Sequence, residues 1–353
     1  MQERKRLLLN FTLLVLGTYF LFMGLTKAQG FLKPLVTALI FSLLMIPVAN
    51  KFESWNFSRI LSSVCNTLIL FIISLGFFML ISFQIKGFVE DWDKIKETME
   101  PNIESFENFV LTHTPLEKEQ LEEYKKENNV STLFGGGSGG EKAFQAVNQV
   151  LGFLADYLLT FIYIFFLLNY RRRFKEFVLR LFPQNKRGEV AKVVNKTAGV
   201  AQHYLFGKFL LIIFLAVLYS IGLGISGVSN FIFVSLLAAL LSLIPYFGNI
   251  IGFFIALAFG MISGGDSGTF IGVIIVFSLV QFIESYILEP YIVGDQVDIH
   301  PFFIIVVVII GNMVWGVMGM ILAVPLVGII NVVFRNVESL KVFGFLLSNN
   351  EEN

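Results

Sequence analysis

Gln281 and Glu284 stand three residues apart in "QFIESYILEPYIVGDQVDIHP" (residues 281–301), a stretch that also carries Glu289, Asp295 and Asp298 and holds no Lys or Arg. Residues three apart share one face of a helix. A carboxylate inside an apolar membrane helix costs about 3 kcal/mol on insertion scales and is kept where it meets a proton, a cation or water. With no basic residue in its own stretch, Glu284 must be protonated, hold a cation or reach water. The first two point to proton- or cation-coupled chemistry, and the third to a helix end within a turn or two of the membrane surface. Glu289, Asp295 and Asp298 read as loop carboxylates facing the cytoplasm, with Pro290 and Pro301 ending the helices on either side. His300 caps the helix that Pro301 opens, or gates a transport cycle with pH, since imidazole is the side chain that ordinarily titrates nearest neutrality. Asn249 and Asn312, polar residues in apolar surroundings, join Gln281 and Glu284 as transport or coupling candidates. Asp156, in an earlier apolar run, is a further intramembrane acid that either joins them or packs against a polar partner.

The elements that hold these residues are set by composition. A chain of 353 residues that is 56% hydrophobic, with 40 Phe and a mean hydropathy of +0.75, exceeds the roughly 45–50% apolar content of soluble domains. Several runs of about 20 apolar residues are long enough to cross a hydrocarbon core of about 30 Å as helices. The reading is an all-α polytopic membrane protein of about eight membrane segments, with no soluble catalytic domain left over. The single cysteine, Cys65, lies in an apolar run and reads as packing. His113, His203 and His300 are scattered and no H-E-x-x-H occurs, so no metal site and no cofactor are expected. "GISG" (residues 224–227) mimics the serine element of an intramembrane hydrolase, but such chemistry needs a histidine base within reach, and only His300 is conceivable. No catalytic residue is assigned, and the chain is read as a non-enzyme.

Apolar runs at 7–25, 31–49 and 60–83 make three membrane segments within residues 1–85. The "ERKR" before the first resembles the start of a signal peptide, but the run is too long and lacks a small-residue cleavage site, so it reads as an anchor. Residues 86–146 form a polar extracytoplasmic loop, in which Ile95, Met99, Ile103, Phe106 and Val110 recur at the spacing of an amphipathic helix and "FGGGSGG" reads as a linker. A fourth segment occupies 147–170. Residues 171–204 then form a basic amphipathic collar. Residues 171–208 hold ten basic residues against two acidic ones, whereas 86–142 hold seven Lys, no Arg and thirteen carboxylates. By the positive-inside rule the collar and both termini are cytoplasmic and the loop is outside. The collar faces anionic lipid, and nucleic acid is not expected as a partner.

Between Phe209 and Phe334 no Lys or Arg occurs, and residues 205–334 read as a C-terminal transport core followed by a cytoplasmic tail, 335–353. Runs at 231–244 and 250–262 span only about 20 Å each at about 1.5 Å per residue. They suggest a hairpin turning at Pro245, Gly248 and Asn249, with irregular backbone buried in protein. The long run 302–334, broken at "GNMVWG" between Gly311 and Gly316, suggests a second hairpin of opposite orientation, an inverted-repeat arrangement. Full crossings would leave the same ends on the same sides, so the sequence leaves re-entrant and spanning hairpins open. Gly316, Gly319 and Ala323 lie at close-packing spacing.

"SLIPYFGNIIG", "QFIESYILEPYIVGDQVDIHP", "WGVMGMILAVPL" and "QHYLFGKFL" resemble the signature segments of the autoinducer-2 exporter family of bacterial multi-pass membrane proteins, and the resemblance covers nearly the whole chain. It implies eight membrane segments, homo-oligomers, and transport of an autoinducer-2-like signal or of sodium or lithium against protons. The chain departs from the commoner pattern at Tyr291, where Arg often follows the proline, and at Asn249. The expected function is secondary transport of a small polar solute or monovalent cation across the bacterial cytoplasmic membrane, coupled to protons or sodium. The alternative is a passive channel, or an intramembrane hydrolase. Membrane lipids, that solute or cation, and further copies of the chain are the expected partners.

The orientation has a direct test. A cysteine placed at Ser138 should be labelled by an impermeant thiol reagent in intact cells and one at Asn185 only after permeabilisation. Labelling of the second in intact cells would reverse the topology.

Overall fold

The computed structural model describes residues 2–90, 139–262, 267–294 and 298–349, which are helical almost throughout. The polar loop predicted to be extracytoplasmic, with its predicted amphipathic helix, lies largely outside the described residues, as does Asp295. The chain runs through α1 (Gln2–Lys27), α2 (Gln29–Ser54), α3 (Arg59–Glu90), α4 (Gly139–Asn169), α5 (Arg171–Arg180) and α6 (Arg187–Ile225). There follow α7 (Phe231–Leu241), α8 (Phe247–Ile262), α9 (Ser267–Ile283), a π-helical segment (Glu284–Val293), α10 (Pro301–Trp315), α11 (Val317–Asn336) and α12 (Lys341–Leu347).

Six of these helices are long and apolar enough to cross a membrane, or seven if the bent pair α4–α5 is one span, and α7, α8 and α10 are shorter apolar helices. The expected all-α polytopic architecture is what the structure shows. Phe11, Leu14, Ile72 and Phe254 are each more than 60% exposed, an outward apolar face that a bilayer would cover.

Two cores form inside this apolar envelope. In the N-terminal half, Ala38, Met45 and Ala49 of α2 meet Ile164 and Leu168 of α4. At the end of α4 the chain bends by 64° into α5, and the basic collar is tied back to α2. Arg171 donates to Glu53 at 2.7 Å and Arg172 at 3.0 Å. In the C-terminal half, Leu211, Leu215, Tyr219 and Leu223 recur every four residues on one face of α6. They meet Val234 and Ala238 of α7, Ala256 and Phe259 of α8, and Val273, Phe277 and Val280 of α9. The 39-residue α6 is thus the post on which the C-terminal helices are hung.

Both predicted breaks exist, with shifted positions. The first turn occupies residues 242–246, so Pro245 lies in it, while Gly248 and Asn249 already belong to the first turn of α8. Gly248 is there for close approach, since a Cβ would sit 1.7 Å from the Leu241 carbonyl oxygen. The α7 arm, 11 residues long, reaches only about 16 Å at about 1.5 Å per residue, too short to cross. The second turn is Gly316 alone, with φ 64°, a conformation that Gly adopts without cost. Gly311 and Asn312 are not turn residues, because α10 runs unbroken to Trp315. Gly311 instead meets Gly319 across the hairpin, where a Cβ on Gly311 would lie 2.4 Å from the Gly319 oxygen, with the Ala323 Cβ at 3.2 Å. The expected small-residue packing is therefore formed by Gly319 and Ala323 with Gly311, and Gly316 is the hinge. The second hairpin is also unequal, for α11 has 20 residues and is a candidate span by itself.

These contacts predict that Gly248→Ala abolishes a stable C-terminal half, read as loss of a monodisperse peak and of cooperative thermal unfolding in detergent. Gly17→Ala on α1, where a Cβ meets nothing within 4 Å, should unfold at or slightly above the wild-type temperature, given the roughly 1 kcal/mol helix-propensity advantage of Ala.

Candidate functional site

The first hairpin turn, the end of α9 and the middle of α6 converge on a cavity of about 510 Å³, also lined by residues 298–299 and by Asn349 of the C-terminal segment. Tyr204, Ile244, Val293, Val308 and Val324 pack together as its apolar surround. The polar lining includes Ser242, Tyr246, Asn249, Gln281 and Ser285, and the charged lining is Lys208, Glu284, Glu289 and Asp298.

Glu284 is only 4% exposed. Asn249 Nδ2 donates both to its Oε2 at 2.9 Å and to Gln281 Oε1 at 2.6 Å, while Gln281 Nε2 donates to Ser285 Oγ at 3.0 Å. Three of the sequence candidates, Asn249, Gln281 and Glu284, are thus one hydrogen-bonded group spanning α8 and α9. The helix-face pairing of Gln281 with Glu284 follows from their spacing, whereas the arrival of Asn249 from another helix does not. Asn249 Oδ1 is buried without a hydrogen-bond partner, as is the hydroxyl of Tyr219.

Two expectations are corrected here. Glu284 does have a basic neighbour: Lys208 of α6, 7% exposed, lines the same cavity. Glu289 is not a loop carboxylate, although its side chain is 46% exposed. It lies within the π segment, which continues past Pro290 to Val293, and accepts a 2.9 Å hydrogen bond from Lys208 Nζ. The proline fails to end the helix because π-type bonding joins residues five apart, and the Gly294 amide closes such a bond to the Glu289 carbonyl at 2.9 Å. Lys208 was counted with the basic collar because it is the last basic residue before the uncharged stretch. The signal for its true place is its position on the α6 face that carries Tyr204, Leu211, Leu215 and Tyr219, all buried.

Asp298 lies in the non-helical segment before α10, with φ 37°, and it is ion-paired with Arg335 rather than free in water. Its Oδ1 accepts from the Asn349 amide at 3.2 Å, and its carbonyl oxygen accepts from Asn331 Nδ2 at 2.9 Å. His300 is the N-cap of α10 and its Nδ1 accepts from the Phe302 amide at 3.2 Å. Asn312 and Asp156 are exposed and neither lines the cavity. Among the described residues no group of three His, Cys, Asp or Glu is placed to hold a metal ion.

Residues 8–339 match the profile of the AI-2E family transporter. The chain belongs to this family. It is 27% identical over 196 residues to a Bacillus subtilis protein named "Putative transport protein YueF", which covers 54% of this chain and 53% of the relative. It is 30% identical over 193 residues to "Putative transport protein YrrI" of the same organism, 54% of each. The chain therefore spans about half the length of these two relatives. A longer match, 24% identical over 321 residues and 87% of each chain, is to "Putative permease PerM" of Escherichia coli. The protein is thus a multi-pass α-helical member of a family of membrane transport proteins.

The Asn249 contact predicts that Asn249→Ala lowers thermal stability in detergent, by about 1–3 kcal/mol for a buried charged acceptor deprived of its donor. In a double-mutant cycle the loss should shrink in the Glu284→Gln background. Additive losses would mean that the Asn249–Glu284 bond contributes nothing.

Proposed function

We propose that this protein is a secondary transporter of a small polar solute or monovalent cation in the bacterial cytoplasmic membrane, coupled to protons or sodium through Glu284. The observation that carries the reading is a charge balance. Asp298 is paired with Arg335, and Lys208 with Glu289, so among the described residues no ion pair is formed by the buried Glu284. A buried charge without a counter-ion is strongly disfavoured. Glu284 is therefore neutralised by a further positive charge, a proton or a cation. The oxygens of Gln281 and Asn249, together with the serine and tyrosine hydroxyls of the lining, suit a small polar solute or a partly dehydrated monovalent cation. The two broken helical hairpins flanking the cavity resemble the discontinuous helices that build sites at membrane depth in secondary transporters. In this reading the cavity opens to the cytoplasm beside the basic collar, both termini are cytoplasmic, and the working unit is a homo-oligomer in lipid.

The decisive experiment is gradient-driven flux in proteoliposomes, comparing alkali cations with small furanosyl signals. Glu284→Gln should reduce flux to background while membrane insertion and oligomeric state persist. The pH dependence of the wild-type rate should vanish in that variant. Flux that is only downhill and unchanged by Glu284→Gln would make the protein a passive channel with a structural carboxylate.

A further inference from the structure

Glu284 and Glu289 are five residues apart. In an α-helix of 3.6 residues per turn, positions five apart point about 140° away from each other. In a π-helix the hydrogen bonds join residues five apart, so these positions lie nearly above one another. The whole run from Glu284 to Val293 is π-helical, and this geometry brings both glutamates to the lining of one cavity. Pro290 supports it, since it has no N–H with which to continue either ladder. The two elements are pressed together at this level. A Cβ on Gly207, the residue before Lys208, would stand 2.8 Å from the Ile292 carbonyl oxygen and 3.1 Å from the Val293 Cα.

Lys208 is thus held where a long, flexible side chain reaches one carboxylate directly, Glu289 at 2.9 Å, in a cavity that Glu284 also lines. Tyr204, one turn away on α6, and Asn249 on α8 are neutral polar groups of the same lining, and Asp298 is occupied by Arg335. A permanent cation on a tether, beside a buried carboxylate with no ion pair of its own, is a built-in competitor for whatever brings a positive charge to Glu284.

We propose that Lys208 is a tethered counter-ion, which rests on Glu289 in the cavity that Glu284 also lines and competes with a proton or solute cation for Glu284. The proposal rests on the transport reading, because it names the group that competes with the coupling ion at the same site. Lys208 acts through the carboxylates and is a positioning residue.

The test uses dicyclohexylcarbodiimide, which reacts with protonated carboxyls in apolar surroundings, on the full-length protein in detergent, with labelled residues read by mass spectrometry. Lys208→Gln should raise labelling of Glu284 and Glu289 together by roughly tenfold, the scale expected when a nearby opposite charge is removed. Lys208→Arg should keep wild-type labelling. Glu289→Gln gives the opposite sign and guards against misfolding of the lysine variant. Lys208 then has only Glu284 to pair with, so labelling of Glu284 should fall below wild type. If Glu284 labelling is unchanged or raised in Glu289→Gln, or if Lys208→Gln labels like wild type, the tethered counter-ion is refuted. Sodium and lithium form a separate arm. Protection of wild-type Glu284 by either ion supports the cation form of the transport reading. Absence of protection overturns that form alone, because the contrast among the variants is read without added cation.

Discussion

The C-terminal half is organised around the need to keep a carboxylate inside an apolar helical assembly from being an isolated charge. Glu284 is enclosed by helices whose outer faces suit hydrocarbon, and it accepts a hydrogen bond from an α8 amide in a cavity that an α6 ammonium also lines. Burying a carboxylate and an ammonium is costly unless hydrogen bonds and opposite charges meet them in place. The hairpin turn, the π segment and the long α6 are the elements that bring those partners together. Without any one of them, Glu284 would be an orphan charge.

Close approach of backbones is the second requirement, and glycine supplies it at each contact that matters. Gly248 admits the Leu241 carbonyl at the first hairpin, Gly207 admits the π segment against α6, and Gly311 and Gly319 meet across the second hairpin. In a bilayer, where apolar burial drives helix association weakly, such contacts give packing and specificity. The same glycines set the distances over which the Lys208 and Asn249 side chains must reach.

Much of this was legible in advance. Apolar runs and charge-free stretches marked the membrane helices, and the short runs on either side of Pro245 marked a hairpin whose arm α7 cannot cross. The spacing of Gln281 and Glu284 placed them together. Other features were not legible because they depend on competing local geometries. Pro290 argues for a helix end under α-helical bonding, yet π bonding carries the helix past it and turns Glu289 inward. "GNMVWG" offers two glycines as breaks, and only packing decides that Gly311 is a contact and Gly316 the hinge. Asn312 and Asp156 share polar chemistry and apolar setting with Asn249 and Glu284, but they are exposed and do not line the cavity.

Amino-acid order alone determined what is set locally: an all-helical membrane protein, its charge-free C-terminal half, its hairpin breaks and its membership of a transporter family. Periodicity, propensity and transfer free energy act over a few residues and need no partner. The tertiary structure alone decided which charges meet. Lys208 and Glu289 are 81 residues apart, and Asn249 and Glu284 are 35 apart. No local rule links them, because pairing over such separations depends on how helices cross and how closely their backbones approach. The site is therefore written in residues that the sequence names one by one and that only the packed helices bring into contact.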